Sequence, residues 1–399
     1  MGSSNFLNPS AKQWRHLDNE CDPQTGQQQQ PSTARLELHK KLPHYSQTPL
    51  HSLPSVAKEL GLGHVLLKDE SSRFGLPSFK ILAASWAVYR AVTEQVQDSD
   101  SRDVEVQSLS TIGKQARGRG LKLLTCTAGN WGRAVARMAE YMGVPVVVYV
   151  ASNMPEMTRN LIRGEGAEVV PVDGGYDDAV AAMKVEAEKD GYLMVVDIAW
   201  EGYETIPQWV IEGYQTMLEE SDAQVLAATE SQAVTHAIIP CGCGSVAQAV
   251  TQHFKSAARE QQRELANASV IAVEPTAAAC LMASLRRGEM TSVSTEEHCI
   301  MNGMNAGVLS TTAWPVLKQG VDVSVVVSDF ESHNAVKDLD RRGIQAGPCG
   351  AACLAALRRL CETAKEDCML NERSVVVLYC TEGAREYELP LAESGDDDR

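Results

Sequence analysis

The sequence predicts an α/β protein of two lobes, each a mostly parallel sheet flanked by helices. Three observations predict it. From residue 121 to about 200, strand-length apolar runs alternate with helical periodicity across short links, which implies right-handed crossovers and a sheet covered on both faces. A second such series begins at Ile206. A chain of 399 residues, 44% of them hydrophobic, has material for two sizeable cores.

In order, residues 1–34 are polar and rich in Gln, Ser and Asn, and predict a mobile arm whose Trp14 docks on a neighbour. Thr48 to Leu60 reads as an extended stretch and a short helix, and His64 to Glu70 as a strand. Residues 93–118 are polar and read as a surface insertion. Strands follow at 121–126, 145–150, 167–172 and 192–197, with helices at 132–142, 155–164 and 176–189 between them. The second series predicts helix 206–220, strand 235–239, helix 246–258 and strand 270–273. After an irregular region come strand 321–327, helices 331–342 and 350–364, and strand 374–378. The expected domains are the arm 1–34, a smaller lobe 81–200, a larger lobe made of 35–80 with 201–390, and an acidic tail 391–399.

The net charge of −16 is spread along the chain, and no basic stripe suggests nucleic acid as a partner. The longest apolar runs have strand length, so no membrane span is expected. The 11 cysteines, several inside apolar runs, read as reduced thiols of a cytoplasmic protein. Cys241-x-Cys243 and Cys349-x-x-x-Cys353 lack the paired ligands of a zinc site, so no metal is expected.

Lys80 stands where the loop of Gly75 and Pro77 turns into a helix, since Ile81, Ala84, Val88 and Val92 recur at helical spacing. Burial beside Phe79 and Ile81 and the positive end of the helix dipole both disfavour an ammonium. A lysine so placed becomes a neutral amine able to form a Schiff base. Taken singly, a lysine is usually a solvated surface group, so the reading rests on the company it keeps.

Strand 235–239 runs through Gly242-Cys243-Gly244-Ser245 into a helix. Small residues let successive N–H groups converge on an anion there, and the helix end adds partial charge: a phosphate cradle. It lacks the third glycine of a dinucleotide site and the GK[ST] of a nucleotide triphosphatase, and alone it is an ordinary glycine-rich turn. A second turn, Thr127-Ala128-Gly129-Asn130-Trp131-Gly132, follows strand 121–126 at the sheet edge where ligands bind in such folds. Its N–H groups and the Thr127 hydroxyl suit a carboxylate, and Asn130 suits a ring oxygen or a helix cap. At the last strand's end, Cys380 and Thr381 are weak donors suited to a pyridine nitrogen. A neutral partner there limits the electron sink and favours elimination at Cβ. Lysine, phosphate cradle, carboxylate turn and ring-nitrogen contact together describe a pyridoxal 5'-phosphate site.

The order of these motifs resembles the fold-type II pyridoxal phosphate enzymes, the tryptophan synthase β-chain family, and within it the diaminopropionate ammonia-lyases. The residues that carry the likeness are Arg73-Phe74-Gly75-Leu76-x-x-Phe79-Lys80, Gly129-Asn130-x-Gly132-Arg133, Tyr176-Asp177-Asp178, Asp197-x-Ala199-Trp200-Glu201-Gly202-Tyr203-x-x-Ile206-Pro207, Gly242-x-Gly244-Ser245, Val273-Glu274-Pro275 and Thr381-Glu382-Gly383. The likeness spans roughly residues 40–385. It implies a lyase that takes ammonia from 2,3-diaminopropionate to give aminoacrylate, then pyruvate and ammonia, and a homodimer. It also implies that Lys80 carries the cofactor and removes the Cα proton of an L-substrate. Gly242, Cys243, Gly244 and Ser245 would hold the phosphate, and Phe79 and Asn130 would border the ring. Thr127, Ala128, Gly129, Asn130 and Trp131 would meet the substrate, and Asp178 or Asp177 its amine.

Two departures matter. The lyases carry Thr-Asp-Gly-Asn-His-Gly where this chain has Thr127-Ala128-Gly129-Asn130-Trp131-Gly132, so an acid for a D-substrate is missing and a larger ring stands beside the pocket. The run Asn302 to Gly307 also differs from the family's closing segment. The same residues serve a β-replacement synthase that captures aminoacrylate with a nucleophile. Ala128 and Trp131 leave room for a cofactor-binding protein without catalysis, and a nicotinamide dehydrogenase fails for want of the third glycine.

Overall fold

Seven strands make the larger sheet, and four of its five long strands alternate with helices in the chain, as parallel pairing requires. The computed structural model describes residues 4–17, 33–97, 106–127, 129–260, 265 and 267–391. The described residues fall into two units: one within the spans Met1–Gln29, Gln47–Ser72 and Met217–Arg399, the other within Gln30–Ser46 and Arg73–Thr216.

In the first unit the sheet runs, edge to edge, Asn5–Leu7, Val323–Val327, Ser269–Pro275, His236–Pro240, Val375–Cys380, His64–Asp69 and Leu50–Ser52. The five inner strands are parallel, and the two three-residue edge strands are antiparallel to their neighbours. Strands His236–Pro240 and Val375–Cys380 are buried at every position, the mark of a sheet covered on both faces. On one face Leu67, Ile238, Val273, Val325 and Leu378 form a core with Leu354, Leu357 and Leu360 of helix Pro348–Thr363. That helix starts on Pro348 and packs through Gly350, where a Cβ would stand 2.6 Å from the Glu382 carbonyl oxygen.

In the second unit four parallel strands lie in the order Glu168–Val172, Val146–Ala151, Lys122–Cys126 and Tyr192–Met194. Helix Lys80–Val96 is apolar almost all round and buried along its length, and packs against helix Asn130–Met142. Gly213 lets its own helix approach so closely that a Cβ there would meet Ala83 Cα at 2.6 Å. Trp86 Nε1 donates to Glu212 Oε2 at 2.8 Å across the same contact.

The alternation read from the sequence is present in both units. Four expectations need correction. The reading 35–80 had placed Lys80 with the larger lobe, whereas the division falls between Ser72 and Arg73 and puts Lys80 with the four-stranded sheet. Residues 4–17 of the expected mobile arm are ordered: Asn5–Leu7 pairs with Val323–Val327, and Asn8 Nδ2 donates to the carbonyls of Lys318 (2.9 Å) and Val321 (3.1 Å). Trp14 packs against Gly320 of its own chain. Within the supposed surface insertion, Leu109–Gly118 is a helix that buries Ile112 and Ala116, and Gly113 lies against the Met142 carbonyl. Residues 98–105, most of the arm and the tail beyond Leu391 lie outside the described residues.

Candidate active site

The second unit carries Lys80 as the first residue of its helix. The preceding loop is fixed by a tight reciprocal pair: Arg73 and Leu76 exchange backbone N–H···O bonds of 2.9 Å. Phe74 holds a positive φ of 51° with its ring buried, and Arg73, also buried, donates to the Ser46 carbonyl at 3.2 Å. Phe79 stacks on Tyr214 with ring centroids 4.8 Å apart. The lysine's backbone therefore enters the helix from a packed turn.

The Lys80 side chain is one-fifth exposed and forms a hydrogen-bonded ion pair with Asp197 Oδ2. Its Nζ lies 5.6 Å from the Phe79 ring centroid and 5.8 Å from that of Trp131. A carboxylate and two ring faces favour a charged lysine, which works against the neutral amine expected from burial and the helix dipole alone. Asp197 is not among the residues that the sequence alone assigns to the site, although it stands in one of the motifs that carry the family likeness. Its signal was its place at the end of the expected strand 192–197; the observed strand is Tyr192–Met194, so Asp197 lies three residues beyond its end, on the ligand-binding side of a parallel sheet.

Thr127, at the end of strand Lys122–Cys126, accepts from the amides of Gly129 (2.9 Å) and Gly132 (3.0 Å) through Oγ1. Two amides expected to meet a carboxylate are thus taken by Thr127, while the first-turn amides of Asn130 and Trp131 have no acceptor within their own helix. The Trp131 indole is buried, and its Nε1 donates to Thr125 Oγ1 (3.0 Å) and the Val195 carbonyl (3.3 Å). Ala128 lies outside the described residues. Burial, and then the carboxylates of Asp197 and Asp177, push the neighbouring Cys126 thiol up to about 12. Asp177 thereby belongs electrically to this strand end. Asp178 is occupied otherwise: its Oδ2 accepts the Gly175 amide at 2.8 Å and caps helix Tyr176–Ala187.

The first unit carries the cradle. Helix Ser245–Phe254 begins at Gly244, whose φ of 95° suits only glycine without strain; a Cβ there would meet Leu317 Cδ1 at 3.0 Å and Ala313 Cβ at 3.1 Å. Gly242 lies against the Gly303 carbonyl and Met304, so a Cβ would also crowd that side. Cys243 Sγ lies 3.5 Å from Ser245 Oγ, and the Cys243 carbonyl accepts the Ser310 amide at 2.7 Å. Burial raises the thiols of Cys241 and Cys280 well above their ordinary range, so they add no negative charge beside the turn. Backbone amides, a hydroxyl and a helix N-terminus form a donor set that fits a phosphate dianion.

At the end of strand Val375–Cys380, the buried Cys380 thiol donates to the Glu382 carbonyl at 3.5 Å and sits against Gly350. That takes it up as a ring-nitrogen donor, while Thr381, also buried, holds the next position. Glu382 Oε1 accepts the Cys349 amide at 3.0 Å and caps helix Pro348–Thr363. Among the described residues, no group of His, Cys, Asp and Glu is arranged to hold a metal ion, and no helix is long and apolar enough to cross a membrane.

A lysine facing a carboxylate at one sheet edge and a glycine-built anion cradle at another are the parts of a cofactor enzyme, and residues 41–381 match the family described as pyridoxal-phosphate dependent enzyme, so the chain belongs to that family. Its α/β units are those of fold-type II, and the cofactor is pyridoxal 5'-phosphate. The chain is 36% identical to the diaminopropionate ammonia-lyase of Salmonella typhimurium over 74% of its own length and 72% of that protein's. It is 31% identical to the diaminopropionate ammonia-lyase of Escherichia coli over 89% of each. The crystal structure of the Escherichia coli diaminopropionate ammonia lyase in complex with D-serine superposes with a TM-score of 0.80 at 29% identity, covering 95% of this chain and 93% of that one. The same enzyme in complex with an aminoacrylate-PLP azomethine reaction intermediate gives 0.78 at 27%, with the same coverage.

Proposed function

We propose that this chain eliminates ammonia from L-2,3-diaminopropionate, giving pyruvate and two molecules of ammonia. The observation that carries the reading is Lys80 Nζ paired with Asp197 at a parallel-sheet edge that also bears the Thr127–Asn130 turn. Pyridoxal phosphate, when bound, supplies an electron sink for the bonds at the amino acid's Cα. Lys80 would attach it, and the amides of Cys243, Gly244 and Ser245 with the Ser245 hydroxyl would hold its phosphate. Phe79 and Asn130 would border the ring, and Thr381, rather than Cys380, would serve its nitrogen.

The chain's own residues handle the protons. The Lys80 amine takes the Cα proton, and Asp197 Oδ2 stabilises the ammonium so formed. The Asn130 and Trp131 amides and the Thr127 hydroxyl orient the substrate carboxylate. Asp177 is the acid of its helix turn that attracts the substrate's second amine, which leaves from Cβ with its bonding pair and a proton.

The ten described cysteines are free, which supports a reducing, cytoplasmic setting, and the homodimer implied by the family resemblance is checked by sedimentation. The test of the reaction is to supply L- and then D-2,3-diaminopropionate to the cofactor-loaded protein and measure pyruvate and ammonia. Pyruvate and ammonia at one to two from the L-isomer, lost in Lys80→Ala, is the expected result. No pyruvate from a protein with an intact cofactor absorbance overturns the reading, and adducts formed on adding thiols or amines would assign it to β-replacement instead.

A further inference from the structure

Asp197 is not part of the sheet ladder. The strand Tyr192–Met194 ends three residues before it, and Val195 keeps one ladder-like bond, from its amide to the Leu124 carbonyl at 2.8 Å. What holds the last residues in line comes from two aromatic side chains on different elements. Tyr203 OH donates to the Met194 carbonyl at 3.0 Å and accepts the Val196 amide at 2.9 Å. Trp131 Nε1, from the first turn of helix Asn130–Met142, donates to the Val195 carbonyl at 3.3 Å. The backbone polar groups of three consecutive residues are thus met by side chains just before the chain reaches Asp197.

The two aromatics are themselves fixed. Gly202, with φ of 83°, folds residues 200–203 into a turn closed by the Tyr203 amide on the Trp200 carbonyl at 2.8 Å. The rings of Trp200 and Tyr203 stack 4.5 Å apart, and Lys184 Nζ covers the far ring at 3.7 Å. Burial pushes the Tyr203 phenol up, so its proton stays in place to be donated. Trp131 is anchored a second time on Thr125 Oγ1, and its ring faces Lys80 Nζ.

We propose that Tyr203 and Trp131 are positioning residues: they clamp Met194–Val196 from two elements and so aim the Asp197 carboxylate at Lys80 Nζ. The proposal rests on the lyase reading for its importance to catalysis, but not for its test. A phenol placed only for packing would have no reason to pair with both a carbonyl and an amide of the segment leading to the lysine's partner. If the clamp loosens, Asp197 samples other directions and the lysine loses part of the charge that keeps it an ammonium.

The test uses the full-length protein freed of bound cofactor by hydroxylamine and dialysis, since a cofactor joined to Lys80 would block its amine. Lys80 is labelled competitively with acetic anhydride across pH 6–11, and its peptide is quantified by mass spectrometry. The readout is the pH at which Lys80 becomes reactive, with Cys126, Asp177 and the Tyr203 phenol, itself raised by burial, as the other titratable groups at this strand end. In Asp197→Asn, Lys80 should label about tenfold faster near pH 8, since loss of an adjacent carboxylate lowers a lysine's pKa by about one unit. Tyr203→Phe and Trp131→Phe should each give about a threefold increase in the same direction, roughly half a pKa unit. Tyr203→Phe added to Asp197→Asn should change nothing further.

Labelling of both aromatic variants at the wild-type rate overturns the proposal, and so does an effect of Tyr203→Phe that persists without the Asp197 carboxylate, since that marks general loosening. If Tyr203→Phe does not fold, as judged by thermal melting, Trp131→Phe carries the test, and because its ring also faces Lys80 Nζ only the part of its effect that vanishes in the Asp197→Asn background counts. Because labelling needs neither cofactor nor substrate, absent lyase activity would refute the proposed reaction and leave this result standing, and the reverse also holds.

Discussion

Thr127 Oγ1 accepts the Gly132 amide at 3.0 Å while its methyl group occupies the space in which a Cβ on residue 132 would have to sit, 2.4 Å away. Glycine at 132 is therefore what permits the threonine to close the turn. Gly132→Ala should push Thr127 off that amide and destabilise the protein by about 1–3 kcal/mol, the usual range for overpacking. The accompanying rise in KM for substrate would exceed the fall in kcat. Urea denaturation and steady-state kinetics on the same preparation check both.

Asp178 was read from the sequence as a candidate for the substrate amine, but its Oδ2 accepts the Gly175 amide. Asn keeps an acceptor in that place and Ala does not. Asp178→Ala should cost about 1 kcal/mol and Asp178→Asn much less, as for other helix caps. Equal stability of the two variants in thermal melts would show that the cap contributes nothing.

Glu274 is fully buried, and burial raises its carboxyl from 4.5 to about 7 against the opposing hydrogen bonds from the Leu281 (2.6 Å) and Met282 (2.8 Å) amides and Ser324. The folded state binds this proton more tightly than the unfolded chain, so protonation favours folding. Stability contributed by the protonated group is complete below pH 4.5, declines as pH rises to about 7 and is gone above that. The change is on the order of 3 kcal/mol. Denaturation midpoints measured from pH 5 to 8 should fall more steeply in the wild type than in Glu274→Gln. The difference between the two curves isolates this group from Asp222, whose lowered carboxyl acts between its ordinary 3.8 and about 2, below this window.

Asn8→Ala removes donors from two carbonyls, Lys318 and Val321. A loss of about 1–3 kcal/mol is expected where a buried acceptor is left unpaired. Limited proteolysis should then cut sooner within residues 4–17.

The inner strands and most helices were legible because their signals are local. Apolar runs such as Val146–Ala151 and Val375–Cys380 declare buried strands, and Gly242 to Ser245 declares a strand-to-helix turn. The edge strand Asn5–Leu7 was not legible, because its three residues become a strand only through a partner more than 300 positions away. Helices Cys280–Arg287 and Ala313–Gly320 lay in a stretch read as irregular; each is eight residues, shorter than the window of about 11 or more over which helical periodicity stands out. In the site, Lys80 and the two turns were visible as motifs. The Lys80–Asp197 pair joins residues 117 apart, and the tie-up of Asp178 and Cys380 by neighbouring backbone depends on geometry that no spacing encodes.

The strand Val375–Cys380 lies in the middle of the larger sheet, between His64–Asp69 and His236–Pro240, yet the ribosome makes it after the other six. Until it emerges, the strands already synthesised cannot be joined into one sheet, and His64–Asp69, paired with Leu50–Ser52 on one side, must wait for its second partner some 310 residues behind it. Assembly of that sheet is thus a late event dominated by distant pairings, the kind that folds slowly and leaves strand edges exposed to chaperones meanwhile. The four-stranded sheet, complete by Met194, faces no such delay.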